Sequence, residues 1–154
     1  MTKIPIYLIT NRHLVSSEKY FNTIKEAGKH KNIKIILREK DLNNKEYEEL
    51  YYKVKKIAPS TEIIINSKID IFQKIKEKTI QLSFNDFKKN KNIIGRVGVS
   101  VHSLEEAIYA DENGADFILV SHVFLTNCKE GLKPKGVEYI KEVKAKVSCK
   151  VIAL

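Results

Sequence analysis

Residues 96–122, RVGVSVHSLEEAIYADENGADFILVSH, contain a complete strand–helix–strand unit. Apolar runs of strand length occupy residues 96–102 and 116–122, and a helical segment that ends at Gly114 lies between them. Residues 103–106 (SLEE) open this helix as a capping box, in which the serine is the N-cap and the last glutamate reaches back. An apolar strand, a helix and a second apolar strand in this order predict a parallel β-sheet.

The same alternation extends in both directions from this unit. Helical segments follow the first three strands, and Pro134 begins a last helix before the final strand. The remaining apolar runs of strand length are residues 4–10, 33–38, 62–66, 79–83 and 149–154. Seven strands therefore alternate with about six helical segments, and no linker or low-complexity tract interrupts them.

Strands as uniformly apolar as these are expected to be buried on both faces, which is typical of parallel sheets. Two architectures fit the pattern: a doubly wound sheet, or a (β/α)₈ barrel that lacks its last unit. The glycine pattern of dinucleotide-binding folds is absent after the first strand, which counts against that form of the doubly wound sheet. We predict a single domain over residues 1–154.

The composition narrows the functional class. Charged residues make up 31% of the chain, which indicates a soluble globular protein, and no apolar run approaches the length of a membrane span. The net charge of +9 comes from basic residues spread along the chain, and only three of the 28 are arginine, so we expect no nucleic-acid partner. Two cysteines without a CxxC pair, and no recognisable signal peptide, predict a cytoplasmic location.

Polar residues gather where the strands end, which is where parallel α/β folds bind ligands. Thr10 closes the first strand, Glu39 follows the second, and Asp86 follows the fourth. The candidate binding residues are Arg38, Lys40, Asn66, Gln81, Ser100, Thr126, Cys128 and Lys129. Cationic groups among them suit a phosphate, and hydroxyl groups add hydrogen bonds.

Two further residue types bear on catalysis. His122 ends the sixth strand and precedes a polar loop, so we interpret it as an acid–base group that works near neutral pH. His102 precedes an N-cap, where a structural hydrogen bond is expected. Asp86 and Asp70 are the carboxylates near this edge, but Asp70 falls inside a predicted helix, so we predict no metal site apart from Asp86 as a weak Mg²⁺ candidate.

The sequence resembles the thiamine phosphate synthase/TenI superfamily, and most closely its TenI branch. The resemblance is strongest in residues 99–107 (VSVHSLEEA), 114–117 (GADF), 121–124 (SHVF), 126–132 (TNCKEGL) and 151–153 (VIA). It continues more loosely in residues 37–40 (LREK), 65–70 (INSKID) and 81–82 (QL). The resemblance implies an α/β fold of the TIM (β/α)₈-barrel type, here truncated after the seventh strand with the eighth βα unit absent.

The resemblance also implies an activity in thiamine biosynthesis. In the TenI branch this is thiazole tautomerase: an isomerase that converts a thiazole carboxylate phosphate to its aromatic form without metal or cofactor. His122 would then move the proton, and Arg38 and Lys40 would lie near the substrate carboxylate or phosphate. The substrate and partner class is a small phosphorylated thiazole.

The synthase branch is the alternative, and it uses Mg²⁺ to join a pyrimidine diphosphate to thiazole phosphate. This sequence departs from the synthase pattern at four places: Ile36 stands for a glutamine, Ser67 for a metal aspartate, Gln81 for a histidine, and Ser121-His122 for Gly-Pro. A second alternative is an inactive or regulatory truncated homologue. A sheet that stops after seven strands would leave two open strand edges, which favour association into a homo-oligomer.

Overall fold

Strands and helices alternate throughout this computed structural model, which describes residues 4–124 and 134–154. The described residues fall into two compact units, which divide between Ile80 and Gln81. The strands are β1 (Ile6–Ile9), β2 (Ile33–Leu37), β3 (Ile63–Asn66), β4 (Thr79–Ser83), β5 (Arg96–Val101), β6 (Phe117–Val120) and β7 (Lys150–Ala153). The α-helices are α1 (Ser17–Ala27), α2 (Asn44–Ile57), α3 (Ile69–Ile75), α4 (Phe84–Lys89), α5 (Leu104–Glu112) and α6 (Gly136–Lys146), and a short 3₁₀-helix spans Arg12–Leu14.

In the first unit, β1, β2 and β3 pair in sequence order and in parallel. Ile35 in the middle of β2 pairs with Leu8 of β1 on one side and with Ile63 of β3 on the other. The helices α1 and α2 pack together, and a Cβ atom on Gly28 would lie only 2.8 Å from the Cβ of Ala58. Glycine is therefore required where the end of α1 meets the end of α2.

In the second unit, β5, β6 and β7 also pair in sequence order and in parallel. Ile118 of β6 is fully buried between Val99 and Val151 in the register. The helix α5 packs on both β5 and β6. A Cβ atom on Gly98 would lie 2.1 Å from the ring of Phe117, so the aromatic ring occupies the space that a side chain at position 98 would need.

The strand and helix positions follow the sequence predictions closely, with three differences. The bounds of β4 are those predicted, but the other six strands are shorter than the predicted apolar runs, by three residues each in β1 and β6. The helix α4 lies in the Lys/Asn-rich stretch after β4, where no apolar stripe marks a helix. The helix α6 begins at Gly136 and not at Pro134, and its second residue, Val137, is 51% exposed.

The expectation that every strand is buried on both faces is wrong for the first and last strands. Ile6 of β1 is 55% exposed, and the four residues of β7 are half-buried or exposed. Both strands pair with a neighbour on one side in the described register, and this limits their burial. Among the described residues, no helix is both long enough and apolar enough to cross a membrane.

Candidate functional site

At the ends of β1, β2 and β3, buried hydroxyl groups hold the main chain. Thr10, which is 4% exposed, accepts a hydrogen bond at its Oγ1 from the Arg38 N–H at 2.9 Å. The hydroxyl of Tyr47, from α2, donates to the carbonyl of Leu37 at 2.6 Å and accepts from the N–H of Asn66 at 3.2 Å. The main chain at Arg38 and Asn66, two predicted binding residues, is therefore fastened by buried side chains. The side chain of Asn66 is buried, that of Arg38 is half-buried, and Lys40 is exposed.

Glu39 stands between Arg38 and Lys40 in the sequence, and it is only 2% exposed. It accepts hydrogen bonds from the Arg12 N–H at 3.1 and 3.2 Å, from Arg12 Nη1 at 3.4 Å and from the Tyr20 hydroxyl at 3.0 Å. Burial is the main cause that raises the pKa of Tyr20 above its usual range, and the negative charge of Glu39 adds to it. We name this cluster of Arg12, Tyr20 and Glu39 the Glu39 network.

Arg12 completes its pairing with Asp41 on the solvent side of the Glu39 network. Its Nη1 lies 2.7 Å from Asp41 Oδ1, and its Nη2 donates to Oδ2 of the same carboxylate. His13 Nε2 lies 3.2 Å from that oxygen. Hydrogen bonding from Arg12 is the main cause that lowers the pKa of Asp41 below its usual range. Arg12 is thus engaged by two carboxylates, and this leaves Arg38 and Lys40 as the candidate anion ligands of this region.

In the second unit, the predicted residues Gln81 and Ser100 contact each other directly. Gln81 is 4% exposed, and its Nε2 donates to Ser100 Oγ at 2.7 Å and to the Leu82 carbonyl at 2.8 Å. One strand along, Ser121 is 5% exposed and its Oγ lies 3.4 Å from His102 Nδ1. One side-chain pair therefore joins the middle of β4 to the end of β5, and the other joins the residues that directly follow β5 and β6 and supplies the structural hydrogen bond expected of His102.

His122, the predicted acid–base residue, lies two residues beyond β6 and is 7% exposed. Its carbonyl accepts from the Lys135 N–H at 3.1 Å, and the Val123 carbonyl accepts from the Gly136 N–H at 3.0 Å. The Lys135 ammonium also donates to the carbonyl of His102. The main chain on both sides of residues 125–133 is thereby joined beside His122. Three predicted binding residues, Thr126, Cys128 and Lys129, lie outside the described residues.

The two carboxylates considered for Mg²⁺, Asp70 and Asp86, each lie in the first turn of a helix. Asp86 accepts from the hydroxyl of Ser83 at 2.7 Å, and its N–H donates to the same oxygen at 3.1 Å, so it serves the N-cap of α4. Asp70 lies in the first turn of α3, as predicted, and Ser67 stands where the synthase pattern has an aspartate. Within residues 4–124 and 134–154, no three metal-binding side chains cluster.

The main features that the sequence did not reveal are the roles of Tyr20 and Tyr47. Both residues lie in helices, and both are buried. Their hydroxyl groups, however, hydrogen-bond at the ends of β2 and β3. A buried tyrosine hydroxyl needs a hydrogen-bond partner. A tyrosine on the apolar face of a helix, near the helix start, is therefore the sequence signal for such a role.

Comparisons with known families and proteins agree along nearly the whole chain. The family model described as thiamine monophosphate synthase matches residues 6–154. The thiamine-phosphate synthase of Clostridium acetobutylicum is 31% identical over an alignment of 156 residues with its gaps, and the alignment covers 97% of this chain and 74% of that protein. The thiamine-phosphate synthase of Desulfitobacterium hafniense is 32% identical over 157 residues, which cover 97% of this chain and 76% of that protein.

A solved structure extends the agreement to three dimensions. Thiamine phosphate pyrophosphorylase from Pyrococcus furiosus matches with a TM-score of 0.74 and 22% identity, over 98% of this chain and 74% of that one. At this identity the likeness establishes the fold, and it confirms the predicted α/β fold of the TIM-barrel type. The family model and the two curated relatives establish the lineage: the chain belongs to the thiamine monophosphate synthase family.

Proposed function

We propose that this chain is an enzyme of thiamine biosynthesis that catalyses thiamine-phosphate synthesis, the joining of a hydroxymethylpyrimidine diphosphate to a thiazole phosphate. The observation that supports it most is the match of residues 6–154 to the thiamine monophosphate synthase model. Relatives that are 31% and 32% identical carry the name thiamine-phosphate synthase. The TenI branch, which the sequence resemblance favours, is a finer assignment and forms the second candidate below.

The proposed role of Arg38 and Lys40 is to bind the anionic part of a substrate. When the two heterocycles are joined, the bond from the pyrimidine methylene to oxygen breaks and diphosphate leaves with additional negative charge. Positive groups held near that oxygen stabilise the transition state more than the ground state. The main chain of Arg38 is fixed by Thr10, so part of the ordering cost is met before the substrate arrives.

Gln81 and Ser100 in the second unit are proposed as polar groups that orient a substrate ring, and Asn66 in the first unit is proposed separately as a binding residue. Gln81 and Ser100 are already hydrogen-bonded to each other, so their dipoles have a set direction. Asn66 is buried at the end of β3, with its main chain held by Tyr47. Thr126, Cys128 and Lys129 remain predictions as further binding residues.

Thiazole tautomerase is the second candidate, and three residues favour it. Ser67 removes a metal carboxylate, Gln81 replaces a histidine, and His122 is buried beside the end of β6. The reaction needs only proton removal at one position and proton delivery at another, and a histidine can do both near neutral pH. Because Ser67 stands where the synthase pattern has a metal aspartate, we assign no step of either reaction to a metal.

The experiment that separates the two reactions supplies each substrate set in turn. Synthase activity would release diphosphate and form thiamine phosphate from the pyrimidine diphosphate and thiazole phosphate. Tautomerase activity would convert the thiazole carboxylate phosphate to its aromatic isomer in the presence of a chelator. The variant His122→Ala should abolish the tautomerase reaction, whereas His30→Ala, which alters an exposed histidine, should leave it unchanged.

Each result has a definite reading. Diphosphate release supports the synthase, and chelator-resistant isomerisation that His122→Ala abolishes supports the tautomerase. Turnover that His122→Ala leaves intact would remove the catalytic assignment of His122. If neither reaction occurs while calorimetry still detects thiazole phosphate binding, the chain is a binding homologue and the proposed catalytic function is wrong.

A further inference from the structure

Glu39 is a buried carboxylate placed between two candidate anion ligands. It follows β2 directly after Arg38 and precedes Lys40. The three residues differ in exposure, because Arg38 is half-buried, Glu39 is 2% exposed and Lys40 is exposed. A buried negative charge next to two cations that bind an anion would weaken binding, unless its own partners compensate it and its position serves another purpose.

The partners of Glu39 are main-chain and side-chain donors from the preceding βα unit. Both carboxylate oxygens accept from the Arg12 N–H, and Tyr20 donates its hydroxyl to Oε1. Arg12 adds a guanidinium contact at 3.4 Å. These bonds tie the residue between Arg38 and Lys40 to the end of β1 and to the helix α1. Donors of this kind offset the hydration that a carboxylate loses on burial.

We propose that Glu39 is a positioning residue that holds the main chain at Arg38 and Lys40 in the geometry that binds the substrate anion. The inference rests on the proposed function, since it takes Arg38 and Lys40 as the anion ligands. The Arg38 N–H also donates a hydrogen bond to Thr10 Oγ1. Residues 38–40 are therefore held at two successive residues, Arg38 and Glu39. Long cationic side chains lose less entropy on binding when the backbone that carries them is already fixed.

The direction in which Glu39→Gln changes the affinity for an anion distinguishes a positioning role from a purely electrostatic one. Glu39→Gln removes a negative charge close to the anion ligands, so a purely electrostatic role predicts tighter anion binding. The amide nitrogen of glutamine cannot accept from Arg12 or Tyr20, so loss of positioning predicts weaker binding. We expect the affinity for inorganic diphosphate, measured by calorimetry, to fall about tenfold in Glu39→Gln.

Tyr20→Phe removes a single donor and should give a smaller loss of diphosphate affinity. Glu49→Gln changes the same charge at an exposed position of α2 and should leave the affinity unchanged. Circular dichroism and urea unfolding at the temperature of the calorimetry identify variants that are folded. If Glu39→Gln does not fold, Tyr20→Phe still tests the proposal, because it retains the carboxylate.

Arg38→Ala separates failure of this inference from failure of the anion site itself. Weaker diphosphate binding in Arg38→Ala and in folded Glu39→Gln supports the inference. Weaker binding in Arg38→Ala alone, with unchanged or tighter binding in Glu39→Gln, overturns the positioning role and leaves the anion site intact. Unchanged binding in Arg38→Ala removes Arg38 from the proposed function, and the inference about Glu39 is then wrong as well.

Discussion

Gln81 Nε2 and Ser100 Oγ lie 2.7 Å apart and join the strands β4 and β5 by a side-chain hydrogen bond. Gln81 is 4% exposed, so water is a poor substitute for the lost partner. We expect Ser100→Ala to lower the free energy of unfolding by about 1–2 kcal/mol, as measured by urea denaturation. Ser60→Ala alters an exposed serine and should change it by less than about 0.5 kcal/mol. Equal effects in both variants would show that the Gln81 contact contributes nothing to stability.

Tyr47→Phe tests the buried hydroxyl that joins β2 and β3. The change leaves the ring in place but deprives the Leu37 carbonyl and the Asn66 N–H of their partner. We expect the free energy of unfolding to fall by about 1–3 kcal/mol. Tyr52→Phe is the matched control, because Tyr52 lies on the same helix and is 55% exposed. A Tyr47→Phe protein as stable as the control would contradict the bridging role.

Asp111 links the end of α5 to the chain just before β7, and this makes stability depend on pH. Its carboxylate accepts hydrogen bonds from the N–H groups of Ser148 and Cys149 at 2.9 and 2.8 Å. These hydrogen bonds, that of Ser148 first, stabilise the ionised carboxylate and lower its pKa. A lowered folded-state pKa stabilises the protein above the unfolded value, about 3.9, and this contribution is lost as the pH falls below it.

The test compares the wild type with Asp111→Asn by urea unfolding at several pH values. The difference in unfolding free energy should be largest near pH 6 and should shrink towards pH 3. Glu138→Gln, on an exposed face of α6, should show no such convergence. A difference that is constant across this range would rule out the titration of Asp111 as its source.

Cys149 should be a slow nucleophile at neutral pH. Burial and the Asp111 carboxylate raise the pKa of its thiol to about 12, so almost none of it is thiolate at pH 8. We expect iodoacetamide to modify Cys149 slowly in the native protein, as followed by peptide mass spectrometry. Asp111→Asn should speed the modification, whereas Glu138→Gln should not. Rapid labelling of native Cys149 would contradict the raised pKa.

The fold and the candidate site were predictable to different degrees. Hydrophobic runs located all seven strands, because a strand that buries even one face carries apolar residues there. The helix α4 was not predicted, since six residues are too few to show a periodic stripe and its two phenylalanines stand among Lys and Asn. The exposure of β1 and β7 depends on which strands they pair with. An apolar run in the sequence does not indicate the pairing.

The site residues show the same limit in another form. Gln81 and Ser100 were predicted as polar residues at strand ends, and the structure joins their side chains by a hydrogen bond. The partners of Glu39 were not predictable, because Arg12 and Tyr20 lie 27 and 19 residues away in sequence. Such contacts are set by the packing of α1 on the sheet, and no local periodicity encodes them.

The ring of Phe117 over Gly98 has a consequence for how this family varies. A methyl group at position 98 and an aromatic ring at position 117 require the same space, so either change alone is costly. The two positions are directly coupled across the β5–β6 pair, where Gly98 and Phe117 are register partners. Homologous chains should therefore exchange volume between them, with a larger residue at 98 accompanied by a smaller one at 117, as a compensated pair of substitutions.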